Sequence, residues 1–284
     1  MKRTACAAAL VLLAASSGYG LDFSLKITGG GAWASVGDYN AGIDGMNSFY
    51  ADHYSNVNGR FAKVRWGADF QVELMADITR DLGIGLGVGY LRVSHSGDEV
   101  GYDWTFLSST YHNTETQAIL ASAIPVTLNA YVRMPLAGLS FRIFGGVGFT
   151  FGSMAFDSAF QSDFLEIGET VAFKACKNAF GFQGGISLDI PLGSDLSLVM
   201  DVTGRAVRLS EIQGDYELTP AIFGIAQPTA TGDDYFFWYY EQKSGGTTYP
   251  MTGVGLGAPS GLNARHGRFD LSGVSARAGL KLSL

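Results

Sequence analysis

The chain has 284 residues, 39 of them glycine, and its charged residues make up 16 % against about a quarter in a soluble globular domain. A hydrophobic content of 47 % excludes a disordered chain, which needs low hydrophobicity and high net charge. The net charge of −7 argues against nucleic acid as a partner, since that binding rests on clustered Lys and Arg. After residue 20 no run of about 18 apolar residues occurs, so we expect the hydrophobic side chains to lie in strands rather than in a membrane helix.

Residues 1–20 are predicted to be a cleaved export signal. Two basic residues precede a short apolar run at 5–15, and Gly-Tyr-Gly at 18–20 provides small residues for cleavage. The apolar run is much shorter than the roughly 20 residues of a membrane-spanning helix. Because Cys6 lies in this signal, Cys176 would be the single cysteine of the mature chain, which could then hold no internal disulfide.

Beyond the signal, apolar and polar residues alternate in a way that is typical of half-buried strands. Between Ala62 and Ala76, for example, every second residue is apolar and the opposite face carries most of the charges. Eight segments show this period, near residues 23–28, 62–76, 83–90, 120–133, 141–151, 180–190, 196–205 and 274–284.

The links between these segments alternate in length. Short links at 77–82, 135–140 and 191–195 alternate with long ones at about 38–60, 95–117, 153–178 and 213–268. An even strand count with short turns at one end and long loops at the other predicts an all-β fold. The prediction is an eight-stranded antiparallel transmembrane up-and-down β-barrel over residues 21–284, with long extracellular loops and both termini in the periplasm.

The apolar faces, including Val64, Phe70, Phe149 and Leu280, are then expected to contact lipid. A soluble barrel of the lipocalin type is the alternative, with the apolar set inside. The polar faces consist of Gly, Ser, Thr and widely spaced charges, which suits a narrow lumen better than a solvent-exposed surface.

The charges on the inward faces carry both signs. They are Lys26, Lys63, Arg65, Asp69, Glu73, Arg133, Arg142, Asp189, Asp201, Arg205, Arg277 and Lys281. Because buried charges need partners and eight strands leave room only for side chains, we expect a plug of paired charges in the lumen. An open polar pore is the alternative.

Aromatic residues in the long links are candidates for a hydrophobic vestibule. They are Trp104, Phe106, Phe156, Phe160, Phe164, Phe237 and Trp238. Phe156, Phe160, Phe164 and Ile167 recur at helical spacing, which predicts a short amphipathic helix over 155–167. Most such stripes pack a loop onto the barrel rim, and a vestibule wall is the alternative. The aromatic run at 235–240 suits an interfacial girdle as well as a binding mouth.

Catalysis finds little support in the sequence. His53, His95, His112 and His266 lie in or near long links without metal-ligand spacing, so we expect no catalytic site, metal or cofactor. A site at the rim that combines His53 or His112 with Asp98 or Asp233 is the weaker alternative. The glycines at alternate positions 83–89 belong to a strand and not to a nucleotide-binding loop.

Three segments, at 124–131 (IPVTLNAY), 141–149 (FRIFGGVGF) and 179–189 (AFGFQGGISLD), resemble the middle of small eight-stranded outer-membrane proteins. The sequence is similar to the outer-membrane protein W family (OmpW, with the alkane-uptake protein AlkL), although OmpA-type barrels share the same rhythm. The resemblance implies passive uptake of small, mostly hydrophobic molecules through a narrow barrel with lateral release into the bilayer. Two departures are the final Leu284, where the family's assembly signal usually ends in an aromatic residue, and the long last loop.

Two functions follow as expectations. The first is a transport barrel whose partners are outer-membrane lipids, small hydrophobic solutes and the barrel-assembly machinery. The second is a surface-exposed adhesin, antigen or structural anchor in the outer membrane, whose loops bind host surface molecules or antibodies.

Overall fold

A computed structural model describes residues 22–136 and 138–284, so the predicted export signal lies outside the described residues. The fold is almost entirely β. The strands are β1 (Asp22–Ala34), β2 (Ser55–Gly59), β3 (Trp66–Asp77), β4 (Leu82–Phe106), β5 (Ser109–Leu136), β6 (Leu139–Ser162), β7 (Ile167–Pro191), β8 (Leu196–Ser210), β9 (Gln213–Ile222), β10 (Ile225–Ala226), β11 (Ala230–Ser244), β12 (Thr247–Gly255), β13 (Leu262–His266), β14 (Arg268–Asp270) and β15 (Gly273–Ser283). One α-helix, α1, covers Asp38–His53, and a 3₁₀ turn covers Phe164–Glu166.

Eight strands pair into a closed antiparallel ring. The order is β1, β3, β4, β5, β6, β7, β8 and β15, and β15 returns to β1 with Ser24 opposite Ser283. Strands β3 and β4, β5 and β6, and β7 and β8 are joined by tight turns at the end of the ring that also holds Asp22 and Ser283. Closure leaves no free edge in the ring, so the backbone hydrogen bonds of its wall can be satisfied without water.

The two faces of the ring differ sharply. Its outward face carries large apolar side chains that are about half exposed, among them Ile27, Phe70, Leu86, Leu128, Met200 and Leu280. Its inward face carries buried polar residues such as Lys26, Glu73 and Asn129. This is the reverse of a water-soluble barrel, in which the apolar face would point inward. Among the residues that the structure describes, no helix is long and apolar enough to cross a membrane.

The apolar outward face has a defined height. On β4 it covers the nine residues from Leu82 to Tyr90, and the next outward residue, Arg92, is polar. Arg92 lies opposite Ser122 of β5, which lies opposite Ser153 of β6, so the change to polar residues forms a row across β4, β5 and β6. Nine to eleven residues per strand is the length that a tilted strand needs to cross a bilayer.

Beyond this polar row the strands continue instead of opening into loops. The sequence predicts loops at 95–117 and 153–178, but β4 and β5 continue as a paired hairpin to its turn at Leu107 and Ser108, and β6 and β7 pair as far as Ser162 and Ile167. The 15 residues from Arg92 to Phe106 extend roughly 50 Å past the apolar band at about 3.3 Å per residue.

The predicted helix over 155–167 is therefore wrong. Phe156 and Phe160 lie in β6, where they pair with Phe173 and Glu169 of β7. A spacing of four residues places side chains on one face of a strand as well as on one face of a helix. The spacing alone could not separate the two structures, and cross-strand pairing decides for the strand.

The remaining long links fold onto these extended hairpins. The segment at 38–60 contains α1 and β2, and the segment at 213–268 contains β9 to β13, of which β9 pairs with β7 and β11 with β9. We call the parts of β4 to β7 beyond the polar row, together with α1, β2 and β9 to β14, the distal domain. Helix α1 buries Tyr39, Ile43 and Tyr50 against the rest of the distal domain. Together with Met46, these residues are spaced by four, three and four positions, which is a helical signal in the sequence.

The apolar core of the protein lies in the distal domain and at the distal end of the ring. Its members include Val93, Ile119, Phe173, Leu209 and Phe269, all buried. Val64, predicted from the sequence to face lipid, belongs to this core because β3 begins only at Trp66. Its backbone N–H and C=O both bond the side chain of Asn40 on α1, at 2.9 and 2.8 Å.

Candidate functional site

A network of paired charges fills the ring at the level of the apolar band. Lys26 lies 2.8 Å from Glu73 and 3.2 Å from Asp201, which ties β1 to β3 and β8. Arg205 and Arg277 lie 2.9 and 3.6 Å from Asp69. Three cations thus face three carboxylates, which satisfies the requirement that buried charges be paired.

A second layer of charges lies nearer the tight turns. Arg142 lies 3.3 Å from Asp189, which also accepts a hydrogen bond from Lys281. Arg133 of β5 lies 2.5 Å from Asp77 of β3, across the intervening strand β4. The ion pairs of the two layers link seven of the eight ring strands across the inside of the ring, all but β4.

Neutral side chains complete the packing between the two layers. Tyr131 and Asn129 of β5 donate hydrogen bonds to Glu73, and the side chain of Gln183 bonds Asn129 at 2.8 Å. Glycines allow this packing: a Cβ on Gly85 would lie 2.4 Å from a carboxylate oxygen of Glu73. The alternating glycines of β4 therefore provide space for the inward side chains.

Two of the predicted lumen charges lie elsewhere. Lys63 pairs with Asp44 of α1 at 2.5 Å, and Arg65 is exposed. Both precede the start of β3 at Trp66, where the chain crosses the distal domain and no longer follows the ring. The other predicted lumen charges lie on the inward face of the ring strands.

A small cavity lies between the charge network and the distal core. Its volume is about 30 Å³, room for about one water molecule. Asp69 and Arg205 line it on the polar side, and Leu91 lines it on the distal side. Gly89 and Pro125 line it where β4 and β5 form no residue pair, between Val88–Val126 and Leu91–Ala123.

The aromatic residues predicted to form one vestibule occupy three places. Phe237 is buried in the distal core, and Phe156 and Phe160 pack against that core. Trp238 packs edge-on against His266 and donates a hydrogen bond to the backbone of Gly255. Trp104, Phe160 and Phe164 line one cavity of about 270 Å³, and Phe156 and Phe237 line another, so the seven residues do not form the wall of a single vestibule.

The remaining three, Trp104, Phe106 and Phe164, cluster at the tip of the distal domain. Phe164 packs edge-on against Trp104 at 5.8 Å and against Phe106 at 6.2 Å between ring centroids. This cluster joins the tips of the β4–β5 and β6–β7 hairpins. We call the ends of the β4–β5, β6–β7 and β9–β10 hairpins the tip surface.

Three turns in the tip surface place bulky apolar residues at positive φ. Leu107, Leu165 and Phe223 have φ values of 48, 55 and 53° and are 84, 48 and 62 % exposed. In each turn the following residue also has positive φ, a combination that normally selects Asn or Gly. Sequence reasoning missed these residues because apolar residues are not turn signals.

The histidines are distributed over separate polar contacts. His95 lies 2.7 Å from Asp98, His112 lies 2.9 Å from Asp103, and His53 lies 2.6 Å from the hydroxyl of Ser244. Hydrogen bonds from Asn56 and His112 lower the pKa of Asp103. Within residues 22–136 and 138–284 no group of three or more His, Cys, Asp or Glu side chains could hold a metal ion.

The sequence profile of the outer membrane protein beta-barrel domain family matches residues 4–226. The chain therefore belongs to this family of outer-membrane proteins. The match ends at the end of β10, although β15 closes the ring.

Among solved structures the chain is similar to one described as a crystal structure of a major outer membrane protein from Thermus thermophilus. The identity is 15 %, with 93 % of this chain and 99 % of that chain covered, and the TM-score is 0.40. No curated protein matches the sequence. The narrower resemblance to the OmpW and AlkL branch stays a prediction.

Proposed function

We propose that the ring is an eight-stranded transmembrane barrel of the outer membrane, and that the distal domain stands outside the cell. The apolar outward face, nine to eleven residues high on β4 and β5, supports the first part. The second part rests on the tight turns and the ends of β1 and β15, which share one end of the ring. Outer-membrane barrels have short turns on the periplasmic side.

In this function the barrel anchors the distal domain, and the tip surface adheres to apolar surfaces outside the cell. The observation that carries the proposal is the exposure of Leu107, Leu165 and Phe223 in turns that disfavour them. Bulky residues at positive φ are uncommon and strained, and strained positions concentrate at functional sites. The β11–β12 hairpin of the same domain uses Gly245 and Gly246 instead, so the apolar turns are not a requirement of the fold.

The three turns form one surface and not three isolated ones. The backbone N–H of Phe223 donates a hydrogen bond to the C=O of Leu165 at 3.0 Å, and Phe164 packs against Trp104 of the first hairpin. Ile225 and Phe106 add further exposed apolar area at the same end. Contiguous apolar surface of this kind marks interaction sites in proteins that are otherwise soluble.

Adhesion to hexadecane droplets by whole cells that carry the protein tests this proposal. We expect cells with the wild-type chain to move into the hexadecane layer. Cells carrying Leu107→Asn, Leu165→Asn and Phe223→Asn together should stay in water like cells without the protein. Asn tolerates positive φ, so the variant should keep its fold. A control triple variant of equal size, Ser94→Asn, Ser96→Asn and Ser210→Asn, should behave like the wild type, and equal partition of the tip variant would contradict the proposal.

Passive transport of small hydrophobic molecules is the second candidate, and the unpaired stretch at Gly89 and Pro125 favours it. This stretch lies at the distal edge of the apolar band and opens on the small cavity in the ring. A solute from the distal side would have to displace side chains of the distal core to reach this stretch, but it would then leave into the bilayer without crossing the charge network. Uptake of a hydrophobic solute into vesicles that contain the protein, against protein-free vesicles, tests this candidate. Both candidate functions are non-enzymatic, as the sequence predicts.

A further inference from the structure

A second cavity, of about 220 Å³, lies in the distal domain between α1 and the strands β5, β6, β7, β9, β11 and β12. It lies beyond the polar row that ends the apolar band, and neither the barrel nor the tip surface requires it. Its wall combines four aromatic rings with two carboxyl groups. The rings are those of Tyr39, Phe156, Tyr216 and Phe237, and the carboxyl groups are those of Glu115 and Glu169. This combination of apolar walls and a few convergent polar groups is typical of small-molecule sites.

The polar groups in this cavity are the carboxyl groups of Glu115 and Glu169, the amide of Gln117 and the hydroxyl groups of Tyr39, Ser158, Tyr216 and Thr252. Glu115 accepts a hydrogen bond from Tyr50 and another, at 3.0 Å, from the amide nitrogen of Gln117. The same amide nitrogen of Gln117 also contacts the sulfur of Met46. These two contacts of the nitrogen orient the carbonyl oxygen of the same amide away from Glu115 and Met46. The carbonyl oxygen has no hydrogen-bond partner, although Gln117 is only 7 % exposed.

The carboxylates also lack a counter-ion. The cavity wall contains no Lys, Arg or His, and among the described residues neither Glu115 nor Glu169 takes part in a salt bridge. Burial raises the pKa of Glu115, and repulsion from Glu169 adds to that rise. The other titratable groups that face Glu115 are Tyr50 on α1, Tyr54 directly after α1 and Tyr102 on β4, and none of them supplies a positive charge.

We propose that this cavity binds a small primary organic ammonium ion. Its N–H groups would donate to the carboxylate of Glu115 and to the free carbonyl oxygen of Gln117, and its alkyl body would lie among the aromatic rings. Charge-assisted hydrogen bonds are the stronger kind, and aromatic faces attract cations.

The chemistry of the site argues against other ligands. A hard metal ion is usually held by several carboxylate and carbonyl oxygens, whereas the wall offers two carboxyl groups among aromatic rings, and no group of three or more His, Cys, Asp or Glu in the described residues could hold one. A quaternary ammonium ion has no N–H to donate to Gln117. A neutral alcohol would leave the carboxylate without a positive partner.

Calorimetry with the full chain folded in a zwitterionic detergent at neutral pH tests the proposal, with n-butylammonium chloride as the probe. We expect saturable binding at one site, and none for butan-1-ol or tetramethylammonium. Glu115→Gln and, separately, Gln117→Leu should each weaken binding about 10- to 100-fold, the range for a hydrogen bond to a charged group. Glu99→Gln, which removes an exposed charge from β4, is the matched control and should bind like the wild type.

Three results would overturn the proposal. They are no saturable binding of butylammonium, equal binding of butan-1-ol, or an equal loss in the Glu99→Gln control. If Glu115→Gln fails to fold, Gln117→Leu decides alone, because it leaves the net charge unchanged. Failure here would leave the adhesion proposal untouched, since the tip surface shares no residue with this cavity.

Discussion

Gly89 of β4 and Pro125 of β5 face each other at the one level of the ring's apolar band where these two neighbouring strands stop pairing. The register is the same on both sides of the gap, with Val88 opposite Val126 and Leu91 opposite Ala123. Proline has no N–H to donate to the ladder. A Cβ on Gly89 would lie 3.0 Å from the Pro125 ring, so that ring occupies the space in front of the glycine.

This gap leads to a prediction about transport. Pro125→Val restores a donor at the gap and should strengthen the seam by about one ladder hydrogen bond, roughly 0.5–1.5 kcal/mol. If solutes leave the barrel at this seam, uptake into vesicles should fall several-fold. Pro135→Val, in the same strand near a tight turn, should leave uptake unchanged. Equal uptake by Pro125→Val and the wild type would exclude this exit.

The height of the apolar band predicts a matched pair of substitutions on one face of β4. Leu86→Arg places a charge at the middle of the band and should cost about 2–4 kcal/mol of stability. Ser94→Arg lies on the same face beyond Arg92 and should cost little. The midpoint of urea unfolding in lipid vesicles measures the loss of stability in each variant. Similar midpoints would show that the band does not contact lipid.

The charge network predicts unequal effects for two lysines. Lys26→Met leaves Glu73 buried without its cation and leaves Asp201 with Arg277 alone, at 3.8 Å, which should destabilise the barrel by about 3–5 kcal/mol. Lys63→Met breaks an exposed pair with Asp44 and should cost less than about 1 kcal/mol. The double variant Lys26→Met and Glu73→Gln should recover part of the loss. Equal stability of the two single variants would contradict a plug of paired charges.

The raised pKa of Glu115 predicts an unusual dependence of stability on pH. A carboxyl whose pKa is higher in the folded state binds its proton more tightly there, so the charged form opposes folding. The contribution of Glu115 to stability is therefore least favourable at neutral pH and improves as the pH falls through the raised pKa. Glu115→Gln should remove this change and be at least as stable as the wild type at pH 7. The midpoint temperature of thermal unfolding, measured for the wild type and the variant between pH 4.5 and 7, tests this prediction. An identical dependence of the midpoint on pH in the two chains would contradict it.

The strands of the ring can be predicted from the sequence because the two environments on either side of its wall make apolar and polar residues alternate strictly. Lipid on one side and a narrow lumen on the other leave each residue of β3, for example, a single suitable face. The same argument fails from Arg92 onward, where water replaces lipid and the outward residues become as polar as those of a loop. The pattern of the extended hairpins therefore predicts loops, although the chain there forms strands.

The distal cavity could not be predicted from the sequence, for a different reason. Glu115 and Gln117 lie at i and i+2 in a strand, which is the spacing of any two residues on one face. Their significance depends on α1, which supplies Tyr50 and Met46 from more than sixty positions earlier in the chain. Such a contact depends on packing, and no local pattern in the sequence records it.

The continuity of β4 to β7 from the apolar band to the tip surface also has a mechanical consequence. A force applied at Leu107 or Leu165 runs along strands whose opposite ends form the wall of the ring, so it loads many ladder hydrogen bonds at the same time. Peeling a strand from an edge would instead break them one after another. The distal domain should therefore resist pulling along its axis far better than pulling across it, which is the direction that matters for a cell held to a surface in flowing liquid.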